Sequence, residues 1–144
     1  MGLLRIARTP LVTVSPKATV MDAVRTMADE SIGALAVMDG SRLVGIFSER
    51  DLMLRVVSEK RDPERTHIRD VMTTPVETIH RDSTVDEALK VMLEKHIRHL
   101  PILNRDGQLS GMISMRSLLH DKVEELTVQL DSLEAYFTAD GFGG

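Results

Sequence analysis

Three residues that could do chemistry stand together in the stretch GIFSERD, residues 45–51: Ser48, Arg50 and Asp51. The stretch recurs as GMISMRS at 111–117, where Ser114 and Arg116 hold matching places and Ser117 replaces the acid. A serine followed three residues later by a carboxylate reads first as a capping box. In that reading Ser48 caps a helix, Asp51 reaches back to the Ser48 amide, and Arg50 faces solvent. Catalytic chemistry is harder to find. No nucleophile stands beside a base, and H-E-x-x-H, G-x-S-x-G and the Gly-rich phosphate loop are missing. His96 and His99 make an H-x-x-H, but strand residues three apart face opposite sides, and His80 and His120 lie elsewhere. Neither an enzyme activity nor a metal site is expected.

The elements that position these residues are written twice. The segment from Thr9, TPLVTVSPKATVMDAVRTMADESIGALAVM, aligns with TPVETIHRDSTVDEALKVMLEKHIRHLPIL from Thr74. The offset is 65 and becomes 66 after the following turn, so that LVGIFSERDLM lies over LSGMISMRSLL. Such an in-register match is an internal duplication. In each copy a short extended segment (VTV or ETI) precedes a helix with a threonine N-cap, Thr19 or Thr84. The acid three residues on, Asp22 or Glu87, completes a capping box. Apolar residues then recur at helical spacing. A β-hairpin follows, turning at Asp39-Gly40 or Asp106-Gly107, and a second helix starts near Glu49 or Met115. Each unit is β-α-β-β-α and too small to fold well alone, so the two are expected to pack sheet against sheet over one shared core. The fold class is α+β, a pseudo-twofold pair of repeats with a C-terminal helix. The expected boundaries are 1–66, 67–126 and 127–144.

Composition narrows the setting. The 144 residues are 42% hydrophobic and 28% charged, an ordinary globular balance. There is no cysteine, and the net charge of −4 comes with scattered basic residues, which argues against nucleic-acid binding. No apolar run reaches the length of a membrane span, and the first residues lack a secretory signal. Ile6 stands where a myristoylation signal needs Ser or Thr. A cytoplasmic protein without a membrane or nucleic-acid partner is expected.

With the repeat in place, the chain resembles a pair of cystathionine-β-synthase (CBS) domains, often called a Bateman module. The resemblance covers roughly residues 4–123 and rests on IRDVMTTPVETI, HIRHLPIL and the G-x-x-S-x-x-D segment in register. It implies a non-catalytic regulatory module that binds an adenosine-containing ligand (AMP, ADP, ATP, S-adenosylmethionine or a nicotinamide dinucleotide such as NAD) between the copies. A protein partner reads the change. A ligand-free scaffold or adaptor is the alternative.

Carried over by position, the resemblance implies that Asp51 binds the ribose hydroxyls, since each carboxylate oxygen can accept one hydrogen bond, with Ser48 helping and Arg50 a further candidate. The acid of one copy is expected to face the lead-in segment of the other. Asp51 would then share its cleft with Pro75, Val76 and Thr78 around adenine, and with Pro101. Arg98 and His99 would stand at the phosphate end. The mirror cleft would pair Ser114 and Ser117 with Pro10, Leu11 and Val12. Gly33 and Ala34 would replace its basic pair, a degenerate site expected to have lost nucleotide binding.

The last segment carries Leu119, Val123, Leu126, Leu130, Leu133 and Phe137, an a/d seam that points to a homodimer contact. The final GFGG reads as a disordered tail.

Overall fold

The structure, a computed structural model, describes residues 2–8 and 10–140. Its helix starts follow the capping signals. Helix α1 (Val20–Glu30) is capped by Thr19, whose hydroxyl accepts from the Asp22 amide at 3.1 Å while Asp22 accepts from the Thr19 amide at 3.2 Å. Helix α3 (Val85–Lys95) is capped by Thr84 in the same way, except that the Thr84 hydroxyl, not its amide, donates to Glu87. Both helices end on a left-handed residue at matching positions, Ser31 and His96.

Strands β1 (Thr13–Val14), β2 (Ala34–Asp39) and β3 (Arg42–Ser48) form one sheet, with β1 parallel and β3 antiparallel to the central β2. Strands β4 (Ile79–His80), β5 (His99–Leu103) and β6 (Leu109–Ser114) repeat that arrangement. Gly40 and Gly107 turn the two hairpins at φ of 63° and 79°, where a side chain would be strained. After β3 the chain forms α2 (Glu49–Asp51) and passes directly into a π-helical stretch, Leu52–Val57. After β6 a single long helix, α4 (Met115–Asp140), runs to the end of the described residues. The expected disordered tail, residues 141–144, lies outside them.

The core departs from expectation. Instead of one shared core there are two clusters, one per repeat, each completed by a segment from beside the other. Ile68 and Val71, at the start of the second repeat, are buried with Leu35, Val37 and Phe47 of the first. Leu3, ahead of the first repeat, is buried with Leu100, Ile102 and Ile113 of the second. Each small unit lacks apolar surface of its own and borrows from its twin.

The two glycines of the recurring stretch make this exchange possible. A Cβ on Gly45 would meet the Met72 side chain, with Cγ at 2.9 Å, and one on Gly111 would lie 3.1 Å from Leu4 and 3.2 Å from Ala7. Backbone bonds then zip the borrowed segments onto the sheets. Ile46 and Thr73 exchange both bonds, at 3.1 and 2.8 Å, and the Arg8 amide donates to the Met112 carbonyl at 3.2 Å. Ile46 and Met112 are equivalent in the repeat, as are Thr73 and Arg8.

Beyond the repeats, α4 leaves its apolar seam open. Val123, Leu126, Leu130, Leu133 and Phe137 are all exposed, and they do not pack back onto the chain. Among the described residues no helix is long and apolar enough to cross a membrane.

Candidate functional site

Asp51 is buried, with 7% of its surface exposed, and is the one buried charged side chain among the described residues. The turn from β3 into α2 places it there. Ser48 caps α2, accepting from the Asp51 amide at 3.3 Å, and both the Ser48 amide (3.0 Å) and its hydroxyl (3.1 Å) donate to Asp51 Oδ2. The other oxygen, Oδ1, accepts from the Thr73 hydroxyl at 2.8 Å, with Arg55 Nε 3.7 Å away. Arg55 also donates to the Met72 carbonyl at 2.8 Å, so the acid and the borrowed segment are tied together twice.

A carboxylate oxygen offers about two lone-pair sites. Oδ2 fills both with Ser48, whereas Oδ1 has one left and a hydroxyl partner that can rotate away. A diol arriving here meets one oxygen already occupied by the helix cap. Beyond Thr73 the chain runs past exposed Pro75, half-buried Val76 and half-buried Thr78 into β4, and the contact with the acid of the first repeat is made by Thr73. Arg50 is exposed, as its place in the helix implies. Pro101 is buried inside β5, opposite Met112.

The mirror position is built from the same parts with different chemistry. The Ser114 hydroxyl donates to the Ser117 hydroxyl at 3.0 Å and accepts from the Ser117 amide at 3.2 Å. These serines line a cavity of about 1050 Å³ with Leu11 and Val12 of the first lead-in segment, Gly33 and Ala34. Pro10 is exposed and Asp51 does not line this cavity.

Arg98 and His99 do line it, which corrects the expected layout. The Ser117 side was expected to be stripped of cations, and the basic pair borders it. The reason lies in the pseudo-twofold. The first residues of the central strands meet near its axis, where His99 Cε1 comes within 3.2 Å of the place a Gly33 Cβ would take. Each strand start is bonded to the start of a following helix, the Glu49 amide to the Gly33 carbonyl at 3.0 Å and the Met115 amide to the Arg98 carbonyl at 2.8 Å. A side chain leaving this point can turn toward either cleft, and the absent side chain of Gly33 gives His99 its room. Burial there pushes the His99 pKa down, against a smaller upward pull from Glu49, with Arg98 lowering it further.

Three further residues of the clefts were not singled out in the sequence: Thr73, Arg8 and Glu49. A signal for the first two was present, because the repeat offset places Arg8 on Thr73 and both stand at the contact with the twin's sheet.

Two β-α-β-β-α repeats, each completed by a segment from beside the other, define a tandem-repeat module. The CBS domain pattern matches residues 4–58 and 68–124, and the chain belongs to the CBS domain family, with two CBS domains. It is 36% identical over 115 residues to a protein of Methanopyrus kandleri, a match covering 79% of this chain. The chain spans 59% of that relative's length. A protein with CBS domains from Burkholderia ambifaria MC40-6 superposes with a TM-score of 0.80 at 32% identity, covering 86% of this chain and 95% of that one. CBSX2, solved in complex with AMP, shares the fold at 22% identity and a TM-score of 0.70, covering 85% and 96%.

Proposed function

We propose that this chain is a non-catalytic regulatory module that binds an adenosine-containing ligand in a cleft between its CBS repeats and passes occupancy on to a partner protein. The observation that carries this reading is Asp51, a buried carboxylate held at the seam, one oxygen on its own helix cap and the other on Thr73 of the borrowed segment. A ribose that displaces the Thr73 hydroxyl from Oδ1 breaks a link between the repeats. Binding therefore changes how they are joined, which a partner can read. Pro75, Val76 and Thr78 supply the surface for adenine. The AMP complex of CBSX2 supports the ligand class through the shared fold. AMP, ADP, ATP and NAD all contain the adenosine that Asp51 would read.

The module acts as a homodimer in this reading. Two equivalent pairs support it: Met53 with Leu119, and Val57 with Val123, are apolar and at least 47% exposed on the second helix of each repeat. An apolar surface kept in both copies, and extended by the α4 seam, suits a second copy of the chain.

A thermal melt with a panel of adenosine compounds tests the reading. A ligand at about 100 times its dissociation constant adds about 2.7 kcal/mol, or roughly 5–11 °C for a chain of this size. No shift with any member would leave the scaffold without a ligand as the function.

A further inference from the structure

Building on the homodimer reading, we propose that the outer part of α4 pairs with α4 of a second copy in parallel, as a short two-stranded coiled coil that holds both modules at the same end. The CBS pattern ends at residue 124, whereas α4 continues unbroken to Asp140. Among the described residues Leu118 is the last buried one of this helix, and every position from Val123 to Thr138 is exposed. An isolated helix of that length is marginal in water, and Thr127, Val128, Tyr136 and Phe137 are weak helix formers. It needs a partner.

The spacing points to another helix. Leu119, Leu126 and Leu133 fall at heptad position d, and Val123, Leu130 and Phe137 at a. A helix lying on a globular body buries a wider face, whereas a strict alternation of four and three residues keeps a narrow seam turned toward one facing helix. The charges favour a second copy in that place. Between Val123 and Phe137 every charged residue is acidic, but Glu124, Glu125 and Asp131 stand at b and c, turned away from the seam. A helix suited to a basic partner would carry acids along both edges of its seam. The edges here hold Thr127, Gln129 and Tyr136, with Glu134 the one acid. In a parallel pair, position g of one helix meets position e of the next heptad on the other. Gln129 of one copy then lies beside Glu134 of the other and can donate to it, and within the seam no two like charges meet.

Direction follows from continuity. Met53 and Val57 on the body are apolar and exposed, like their counterparts Leu119 and Val123, where the seam begins. A parallel pair keeps the two bodies side by side, with these surfaces within reach of each other. An antiparallel pair sets Phe137 against Leu119 of the other copy. It moves the bodies about 27 Å apart along the axis, the rise of roughly 18 residues, and leaves Met53 and Val57 uncovered. Valine at a with leucine at d also favours two strands.

The chain has no cysteine, so single cysteine substitutions report the geometry. Leu133→Cys and Phe137→Cys, in the full chain under mild oxidation, should each form a disulfide between copies, because in a parallel pair each seam residue faces itself. Val128→Cys, on the outer face, reports random collision. At about 10 µM chain, against an effective concentration of about 1 mM between paired helices, the seam variants should cross-link roughly a hundred-fold faster than Val128→Cys. A dimer in sedimentation whose seam variants cross-link no faster than Val128→Cys overturns the parallel seam and leaves the homodimer standing. Fast cross-linking only in a mixture of Leu119→Cys and Phe137→Cys chains makes the pair antiparallel and overturns it too. A monomeric wild type overturns the homodimer reading and the seam together.

Discussion

Replacing Asp51 with asparagine removes the charge and leaves the shape. In the folded protein this carboxylate accepts three hydrogen bonds, from the Ser48 amide and hydroxyl at 3.0 and 3.1 Å and from Thr73 at 2.8 Å. Asparagine can keep its oxygen on Ser48 and turn its amino group to the Thr73 hydroxyl, which can accept. The bonds survive as neutral ones. A charged hydrogen bond contributes about 1 kcal/mol more than a neutral one, and relief of the buried charge's desolvation offsets part of the loss over the three bonds, so the fold should lose about 1–2 kcal/mol, or roughly 2–8 °C in melting temperature. The ligand loses more. A ribose hydroxyl donates to the carboxylate in a charge-assisted bond, whereas from the amino group it can only accept, in a neutral one. Loss of one charge-assisted bond costs about 1.5–3 kcal/mol, a ten- to hundred-fold weaker affinity. Calorimetric titration of wild type and Asp51→Asn with adenosine reads the affinity, and a circular dichroism melt reads the stability. Equal adenosine affinity, with only the modest drop in melting temperature, would refute the reasoning and make Asp51 a helix cap alone.

Gly45→Ala should push Met72 and Thr73 off β3 and destabilise the protein by about 1–3 kcal/mol through overpacking; an unchanged melt would mean that the Met72 side chain simply swings away. Truncation after Lys122 removes exposed residues, so it should preserve a cooperative melt while reducing self-association in sedimentation; the same oligomer before and after would deny the α4 seam its role. His99 is held below its ordinary value of 6.5 mainly by burial. Its contribution to stability is therefore complete above pH 6.5 and falls as the pH drops through 6.5 toward the folded-state value, where it levels off. His99→Leu should flatten that part of the stability–pH curve, and a curve of unchanged slope would show that His99 protonates freely in the fold.

The parts of the fold set by local chemistry were legible in the residues. Thr19 with Asp22, Thr84 with Glu87 and Ser48 with Asp51 all act as helix starts, and both Asp-Gly turns close hairpins. The crossed packing was not legible in the same way. Ile68 and Leu3 carry the apolar character of core residues, but nothing local says which repeat receives them, because the two cores are near copies. The same symmetry hid the place of Arg98 and His99. Residues far from the pseudo-twofold axis border one cleft only, as Ser117 and Asp51 do, and the alignment assigns them correctly to different sides. Residues beside the axis are within reach of both clefts, and the choice depends on neighbours such as Gly33 that only packing reveals. Glu49 escaped notice because Met115 is its counterpart, so no paired chemistry drew attention to it.

The central claim, that a cleft between the repeats reads the ribose of an adenosine-containing ligand, meets its most direct test in a pair of calorimetric titrations of the full chain. One uses adenosine, the other 2′,3′-dideoxyadenosine, which differs only by the two hydroxyls. The account predicts saturable binding of adenosine and an affinity for the dideoxy compound lower by roughly ten- to a hundred-fold. Equal affinity for the two, or no binding of adenosine at all, would contradict it.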